Sequence, residues 1–254
     1  MISIAVVGAS GYVGSAVSAA LACSPSIAVI SVARANYAEM RERSYDLLVN
    51  AAMPSGRFWA KSYPDKDFVE TVKKTADLIY GWRYGKFIQM STVSARCQLD
   101  TVYGRHKAAA EKICGFGDNL IVRLGPMYSK GLSKGVLVDM LQGRNVFVGA
   151  ESRYCFAPLE FVASWIAGNL GRLGIVEVGA RNAIRLQEVA DYLGADVAFE
   201  GAVDHQEIEN PEVDFPDVRE VFGFLDQMRK TVSQRTSRLL CNPEEGARDA
   251  ISST

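Results

Sequence analysis

The sequence has few of the residues that build metal centres and disulfide frameworks. Only two histidines, His106 and His205, occur in 254 residues, and the five cysteines are scattered without a C-x-x-C pair. Zinc sites and disulfide-rich domains need such residues at short, regular spacings. We therefore expect no metal site and a reducing compartment, the cytoplasm.

An excess of one charge and a long apolar run are also missing. The 28 Lys and Arg nearly balance the 29 Asp and Glu, so neither nucleic acid nor an anionic membrane is expected as a partner. No apolar segment reaches the length of a membrane span. The hydrophobic fraction of 48% is typical of a globular protein with a real core.

Strand-like and helix-like segments alternate along the chain. The apolar segment 2–7, the small-residue helix 15–23 and the strand 27–32 form a β-α-β unit. Further strands are predicted at 45–50, 86–91, 119–124 and 175–178, and helices at 67–80, 102–114, 159–173 and 186–193. This order predicts an α/β fold, a Rossmann-type doubly wound parallel sheet.

Two intervals depart from the regular alternation. The interval 33–44 has room for one short helix over 39–43, so we expect the sheet edge to be trimmed by one strand. Beyond Leu124, glycines and a β-rich piece at 145–148 indicate a small, partly intertwined substrate lobe. We expect a dinucleotide-binding domain over 1–125, with 150–180 returning to it. The lobe and C-terminal tail would comprise 126–149 and 181–254, with 227–254 a surface helix and a frayed tail.

A glycine-rich turn follows the first strand and opens the first helix. Its glycines allow a tight turn and a close approach of pyrophosphate, and the helix start offers free amides to an anion. An ordinary tight turn is the alternative, but the position within a β-α-β unit favours dinucleotide binding. The expected cofactor contacts in this turn are Gly8, Ser10, Gly11, Tyr12, Val13 and Gly14.

The end of the second strand bears on the choice of dinucleotide. NAD-binding folds usually place an acid there, whereas an arginine accommodates a 2′-phosphate. Here the strand ends without an acid and Arg34 follows, so NADP(H) is favoured and NAD(H) is possible. Alternatively, Arg34 is a solvated surface charge.

Tyr103 and Lys107 lie four residues apart in the predicted helix 102–114, on one face. A neighbouring cation stabilises a phenolate, so the pair suits proton exchange with an alcohol or carbonyl oxygen. The preceding strand ends with the hydroxyls of Ser91, Thr92 and Ser94, at the sheet edge where ligands bind in such folds. Arg123 and Arg153 flank the expected lobe and could meet a pyrophosphate, although a surface charge is the alternative.

Taken in order, these motifs resemble the short-chain dehydrogenase/reductase superfamily. They are Gly-x-x-Gly-x-x-Gly, Asn50-Ala51-Ala52, Ser91-Thr92 and Tyr103-x-x-x-Lys107. The segments 123–128, 154–163 and 176–190 resemble its extended branch, the nucleotide-sugar epimerase, dehydratase and reductase family, over residues 1 to about 225.

The resemblance implies roles for several residues. Tyr103 would be the acid/base, Lys107 would lower its pKa and bind the nicotinamide ribose, and Thr92 would hold the substrate oxygen, with Ser91 and Ser94 as alternates. Further implied cofactor contacts are Asn50, Ala51, Ala52, Ser91 and Leu124, and the expected substrate contacts are Ser94, Arg123 and Arg153.

Departures from the family pattern narrow the expected reaction. Val93-Ser94 replaces the Asp-Glu pair of the dehydratases, so dehydration is disfavoured. We expect reduction of a keto group on a nucleotide sugar. The alternatives are a nucleotide-sugar epimerase with tightly bound NAD and a non-catalytic dinucleotide-sensing protein. The helices 67–80 and 102–114 could form the homodimer interface of this family.

Overall fold

The computed structural model describes residues 1–115 and 118–241, in which strands and helices alternate. The strands are β1 (Ile2–Val7), β2 (Ile27–Val32), β3 (Ser44–Asn50), β4 (Arg83–Thr92), β5 (Leu120–Leu124), β6 (Met127–Tyr128), β7 (Arg153–Tyr154), β8 (Ala157–Pro158), β9 (Gly174–Val178) and β10 (Ile184–Arg185). The helices are α1 (Tyr12–Ala22), α2 (Tyr37–Arg41), α3 (Arg57–Ser62), α4 (Pro64–Phe68), α5 (Lys74–Gly81), α6 (Ser94–Cys97), α7 (Val102–Cys114), α8 (Val136–Leu141), α9 (Leu159–Gly168), α10 (Leu186–Leu193) and α11 (Glu220–Cys241).

Six strands form one parallel sheet in the order β2-β1-β3-β4-β5-β9. The predicted α/β fold with a doubly wound parallel sheet is therefore confirmed. Strand β2 lies at the edge, because the interval after it holds only a 3-10 turn and the short helix α2. The trimmed edge predicted from that interval is confirmed as well.

Helices cover both faces of the sheet. On one face, α1 and α9 contribute Val17, Leu21, Val162 and Ile166 to a buried cluster with the apolar strand residues. On the other, Leu78 of α5 and Cys114 of α7 pack with Phe87. Because both faces are buried, the central residues of the strands are mostly apolar, which is why the strands were recognisable in the sequence.

The register brings the carboxyl ends of four neighbouring strands to one edge. Val7 of β1 pairs with Asn50 of β3, Asn50 with Gln89 of β4, and Thr92 with Leu124 of β5. The turns that follow these strands therefore lie side by side, at the edge where parallel sheets bind ligands.

The predicted helix 67–80 is built from α4, a π-helical turn over Val69–Lys73 and α5. Helix α9 ends at Gly168, before the predicted end at 173, and 145–148 contributes an isolated bridge, Val146 to Phe199, in place of a strand. Most of the segments after β5 share one hydrophobic cluster drawn from residues between 128 and 228. The proposed division into two domains stays a prediction.

Helix α11 (Glu220–Cys241) covers the first part of the segment 227–254, which was predicted to be a surface helix with a frayed tail. Residues 242–254 of that segment lie outside the described residues. Across the described helices, none is long and apolar enough to cross a membrane.

Candidate active site

The glycine-rich turn is packed too closely for side chains. Gly8 has a φ of +83°, and a Cβ added to it would lie 2.7 Å from Cα of Ala52. A Cβ on Gly14 would lie 2.1 Å from the carbonyl oxygen of Gly8. Glycine at these two positions lets α1 begin directly beside the turn that follows β3.

Helix α1 begins with amides available to an anion. Gly11 is its N-cap and provides no side-chain cap, so the first helical amides of Tyr12, Val13 and Gly14 have no acceptor within the helix. With the positive end of the helix dipole, this arrangement fits a pyrophosphate. Ser10 is exposed, and the Tyr12 hydroxyl hydrogen-bonds Ser129.

A cavity of about 230 Å³ opens beside this turn. It collects residues from the ends of β3, β4 and β5, from α7 and from α1. Its lining is Val13, Ala51, Met53, Pro54, Ser55, Arg57, Met90, Ser91, Thr92, Ser94, Tyr103, Lys107, Leu124, Gly125, Pro126, Met127, Tyr154 and Gln206. Many of the predicted cofactor and catalytic residues therefore share one site. No cluster that could hold a metal ion occurs among the described residues.

Tyr103 and Lys107 are both buried in this site, on the face of α7 that points into the sheet edge. Thr101 caps the helix, since its hydroxyl accepts a hydrogen bond from the amide of Gly104 at 3.0 Å. The Tyr103 hydroxyl hydrogen-bonds Thr92. Lys107 Nζ lies 5.2 Å from the ring centroid of Tyr103 and donates to the carbonyl oxygen of Pro54 at 2.7 Å.

Burial shifts both groups toward their neutral forms. It raises the pKa of Tyr103 to about 12, against the opposing effects of Arg57 and of the hydrogen bond to Thr92. It lowers the pKa of Lys107 to about 7, although the negative charge of Asp67 opposes this change. The lower phenol pKa expected from a neighbouring lysine is not seen, because loss of hydration outweighs the nearby charges.

The shifted pKa of Lys107 predicts a pH-dependent stability. The unfolded chain holds this proton to about pH 10.5, but the folded chain releases it from about pH 7. Above pH 7 the unfolded state therefore binds more protons, and stability rises with pH by at most about 1.4 kcal/mol per unit. Urea unfolding from about pH 6 to about pH 9 should show the unmodified protein gaining stability relative to Lys107→Met. Lys130→Met, which removes an exposed lysine, is the control. If the free energy of unfolding of Lys107→Met changes with pH in parallel with that of the unmodified protein, the lowered pKa of Lys107 is contradicted.

Asn50 organises the turn after β3. Its buried side chain donates to Gln89 Oε1 at 3.0 Å and to Thr75 Oγ1 at 3.4 Å, and its Oδ1 accepts from the amide of Ala52 at 3.2 Å. The amide thus ties β3 to β4 and α5 and fixes the path of Ala51-Ala52. It acts through the turn and does not line the cavity itself.

Ser91 and Arg123 belong to a buried polar network. The Ser91 hydroxyl donates to Glu111 Oε1 at 2.6 Å. Arg123 pairs with Glu111 at 2.7 Å and with Glu177 at 3.4 Å. Ser91 also borders the cavity, whereas Arg123 is not among its lining residues.

Two other predicted residues lie on the surface. Arg153 is 46% exposed and pairs with Glu207 at 2.8 Å. Arg34 is exposed and forms no ion pair within the described part of the chain, at the start of the 3-10 turn after β2.

Ser94 is fully buried at the cavity, where its hydroxyl donates to Gln206 Oε1 at 3.1 Å.

Several polar residues of the site were not predicted from the sequence. Arg57, Tyr154 and Gln206 line the cavity, and Asp204 lies directly behind them. Asp67, also missed, is fully buried in α4 and lies 2.7 Å from His106 Nδ1. These residues come from loops and short elements far apart in the chain, where neither spacing nor hydrophobic periodicity gives a signal.

No protein-family model and no curated protein matches the sequence. Solved structures do match the fold. MoeE5 in complex with UDP-glucose and NAD superposes with a TM-score of 0.75 at 14% identity, covering 91% of this chain and 99% of that one. A dTDP-4-dehydrorhamnose reductase from Bacillus anthracis with NADP has a TM-score of 0.68 at 14% identity, covering 87% and 97%. UDP-glucuronic acid 4-epimerase from Bacillus cereus has a TM-score of 0.68 at 14% identity, covering 89% and 100%. The chain shares the fold that the motif resemblance implied.

Proposed function

We propose that this chain is an NAD(P)-dependent oxidoreductase of the extended short-chain dehydrogenase/reductase type that reduces a keto group of a nucleotide-activated sugar. One observation carries the proposal: Tyr103, Lys107 and Thr92 line the same cavity as Val13 and Ala51, beside the glycine-rich turn. The fold likeness to a reductase with NADP and to proteins with UDP-sugars and NAD supports it.

The side chains divide the chemistry between them. A bound nicotinamide dinucleotide supplies or accepts the hydride, which no protein side chain can do. The Tyr103 hydroxyl gives its proton to the substrate oxygen, and the Thr92 hydroxyl holds that oxygen in place. Lys107, which donates to the Pro54 carbonyl oxygen, would bind the nicotinamide ribose. Met90, Leu124 and Met127 supply an apolar wall that keeps water away from the reacting atoms.

The position of Ser94 supports a role on the substrate side, as predicted, because it lies at the cavity beside Thr92. Arg153 is accessible to a pyrophosphate, since its ion pair with Glu207 is exposed and therefore weak. The roles of Arg123 and Arg153 as substrate contacts stay predictions, and the ion pairs of Arg123 with Glu111 and Glu177 make it the weaker candidate.

NADP(H) is the cofactor that we propose, on the basis of Arg34. We expect Arg34→Ala to weaken NADPH binding about tenfold and to leave NADH binding unchanged, because only NADPH carries a 2′-phosphate. Fluorescence titration of both dinucleotides measures the effect. Arg43→Ala, which removes an exposed arginine paired with Glu39, is the matched control. Equal losses for NADPH and NADH in Arg34→Ala would contradict this role.

A nucleotide-sugar epimerase with tightly bound NAD is the second candidate. The fold likeness to UDP-glucuronic acid 4-epimerase supports this candidate. Tyr103, Thr92 and Lys107 would serve both reactions, since a reduction is one transfer of a hydride and a proton and an epimerisation is two such transfers in opposite directions. A non-catalytic dinucleotide sensor would not need all three residues.

A homodimer through α4, α5 and α7 stays a prediction. These helices pack against one another, and large apolar side chains on α4 and α5 are exposed: Phe68 by 47% and Tyr80 by 78%. A second copy would cover them, since exposed apolar patches mark interaction surfaces.

The proposed function is tested by turnover. The purified protein is mixed with NADPH and a panel of nucleotide 4-keto sugars, and loss of the NADPH absorbance is followed. We expect at least one keto sugar to be reduced, with one NADPH consumed for each alcohol formed. Conversion of a nucleotide sugar to its epimer without net NADPH consumption would support the second candidate. If the protein catalyses neither reaction, the non-catalytic dinucleotide sensor is the remaining alternative.

A further inference from the structure

Arg57 begins α3 and is the second cation of the cavity. Its Nη1 atom lies 2.5 Å from Oδ2 of Asp204, although the two residues are 147 positions apart in the sequence. The side chain of Asp204 is only 8% exposed, and that of Arg57 is 35% exposed. The ion pair therefore sits at the cavity wall, partly shielded from water.

Three further side chains fix the carboxylate of Asp204. The Tyr154 hydroxyl donates to Oδ2 at 2.7 Å, and the amides of Gln98 and Gln206 donate to Oδ1 at 2.8 Å each. With Arg57, four donors hold one buried carboxylate. Such a network sets the position of the guanidinium, because moving it would leave a buried charge without a partner.

The two cations near Tyr103 differ in how firmly they keep their charge. Burial brings the pKa of Lys107 to about 7, so a large share of these amines is neutral near neutral pH. Burial also opposes the charge of Arg57, but Tyr154 and Asp204 hold its pKa above the usual value. Arg57 therefore stays charged at every working pH.

Arg57 and Tyr103 line the same cavity. In keeping with this placement, burial raises the pKa of Tyr103 and the Arg57 guanidinium opposes that increase. When Tyr103 gives up its proton, the new negative charge forms within the field of a fixed guanidinium.

We propose that Arg57, held in place by Asp204, is the positioning residue that stabilises the Tyr103 phenolate. The motif resemblance assigns this role to Lys107. The proposal rests on the proposed function of Tyr103 as the acid/base.

The phenol can be titrated without turnover. Tyr103 is replaced in the full chain by difluorotyrosine, whose phenol titrates closer to neutral pH, and its pKa is read from absorbance and fluorine NMR. We expect Arg57→Gln to raise that pKa by about one unit or more, because it removes a nearby opposite charge. Arg57→Lys, which keeps a charge, should restore at least half of the shift. Lys107→Gln should raise the pKa by less than Arg57→Gln does.

Arg144→Gln is the matched control, since it removes an exposed arginine paired with Asp139 outside the cavity. If Arg57→Gln does not fold, Arg57→Met makes the same charge change with an apolar side chain. An unchanged phenol pKa in the neutral Arg57 variant, or a larger shift in Lys107→Gln, would overturn the proposal. Because no cofactor or substrate is present, this result stands apart from whether the protein turns over a keto sugar.

Discussion

Tyr103→Phe should lower kcat by about 10²–10⁴-fold, the typical contribution of a general acid. The change deletes one hydroxyl from a side chain that is only 7% exposed and keeps the ring that packs in the site. It removes the proton donor and its hydrogen bond with Thr92. Binding of NADPH should stay within about twofold, because the ring does not supply the amides of the glycine-rich turn. Steady-state rates and fluorescence titration separate these two effects.

Tyr128→Phe is the control for Tyr103→Phe. Tyr128 is 6% exposed, similar to Tyr103, but it packs in the cluster after β5 and does not line the cavity. We expect its kcat to match that of the unmodified protein. More than a few per cent of the activity remaining in Tyr103→Phe would show that another group moves the proton.

Gly14→Ala should damage both stability and cofactor binding. The new Cβ would lie 2.1 Å from the Gly8 oxygen and 2.8 Å from its carbonyl carbon, which are backbone atoms that cannot move aside alone. We expect the free energy of unfolding to fall by roughly 3 kcal/mol or more, because the site is overpacked and the turn is displaced. For a chain of this size, that corresponds to a Tm lower by about 6 °C or more. NADPH binding should weaken at least about tenfold, since the start of α1 moves with the turn.

Gly11→Ala separates crowding from the general effect of replacing a glycine. Gly11 has a φ of −78°, which alanine adopts, and its added Cβ would lie 3.2 Å from the Gly8 oxygen. We expect its Tm to fall by much less than that of Gly14→Ala. Thermal unfolding followed by circular dichroism measures both, and equal losses would contradict the close packing described for Gly14.

The parallel sheet and its main helices were predictable because their signals are local. Strand β1 is apolar except for Ser3, and α7 and α10 have the bounds that their periodicity predicted. The missing edge strand beyond β2 was predictable because the interval 33–44 is too short to hold both a helix and a strand. The short strands β6, β7 and β8 were not predictable, because two residues carry no pattern.

The site was predictable where motifs place residues on the same helix or strand end. Tyr103 and Lys107 share one face of α7, and Thr92 ends β4 beside them. Arg57 and Asp204 meet only through the tertiary fold, so the sequence carried no sign of their pairing. The extent to which Tyr103 and Lys107 are buried was not predicted from the sequence either. This burial sets the direction of their pKa shifts.

The most direct test of this account is whether the cavity beside the glycine-rich turn binds a nicotinamide dinucleotide. Freshly purified protein is denatured and any released dinucleotide is quantified by mass spectrometry, and the empty protein is then titrated with NADPH and NADH. We expect an empty protein that binds NADPH more tightly than NADH. Retained NAD at near one per chain would favour the epimerase, and a protein that neither retains nor binds any dinucleotide would contradict the proposed function.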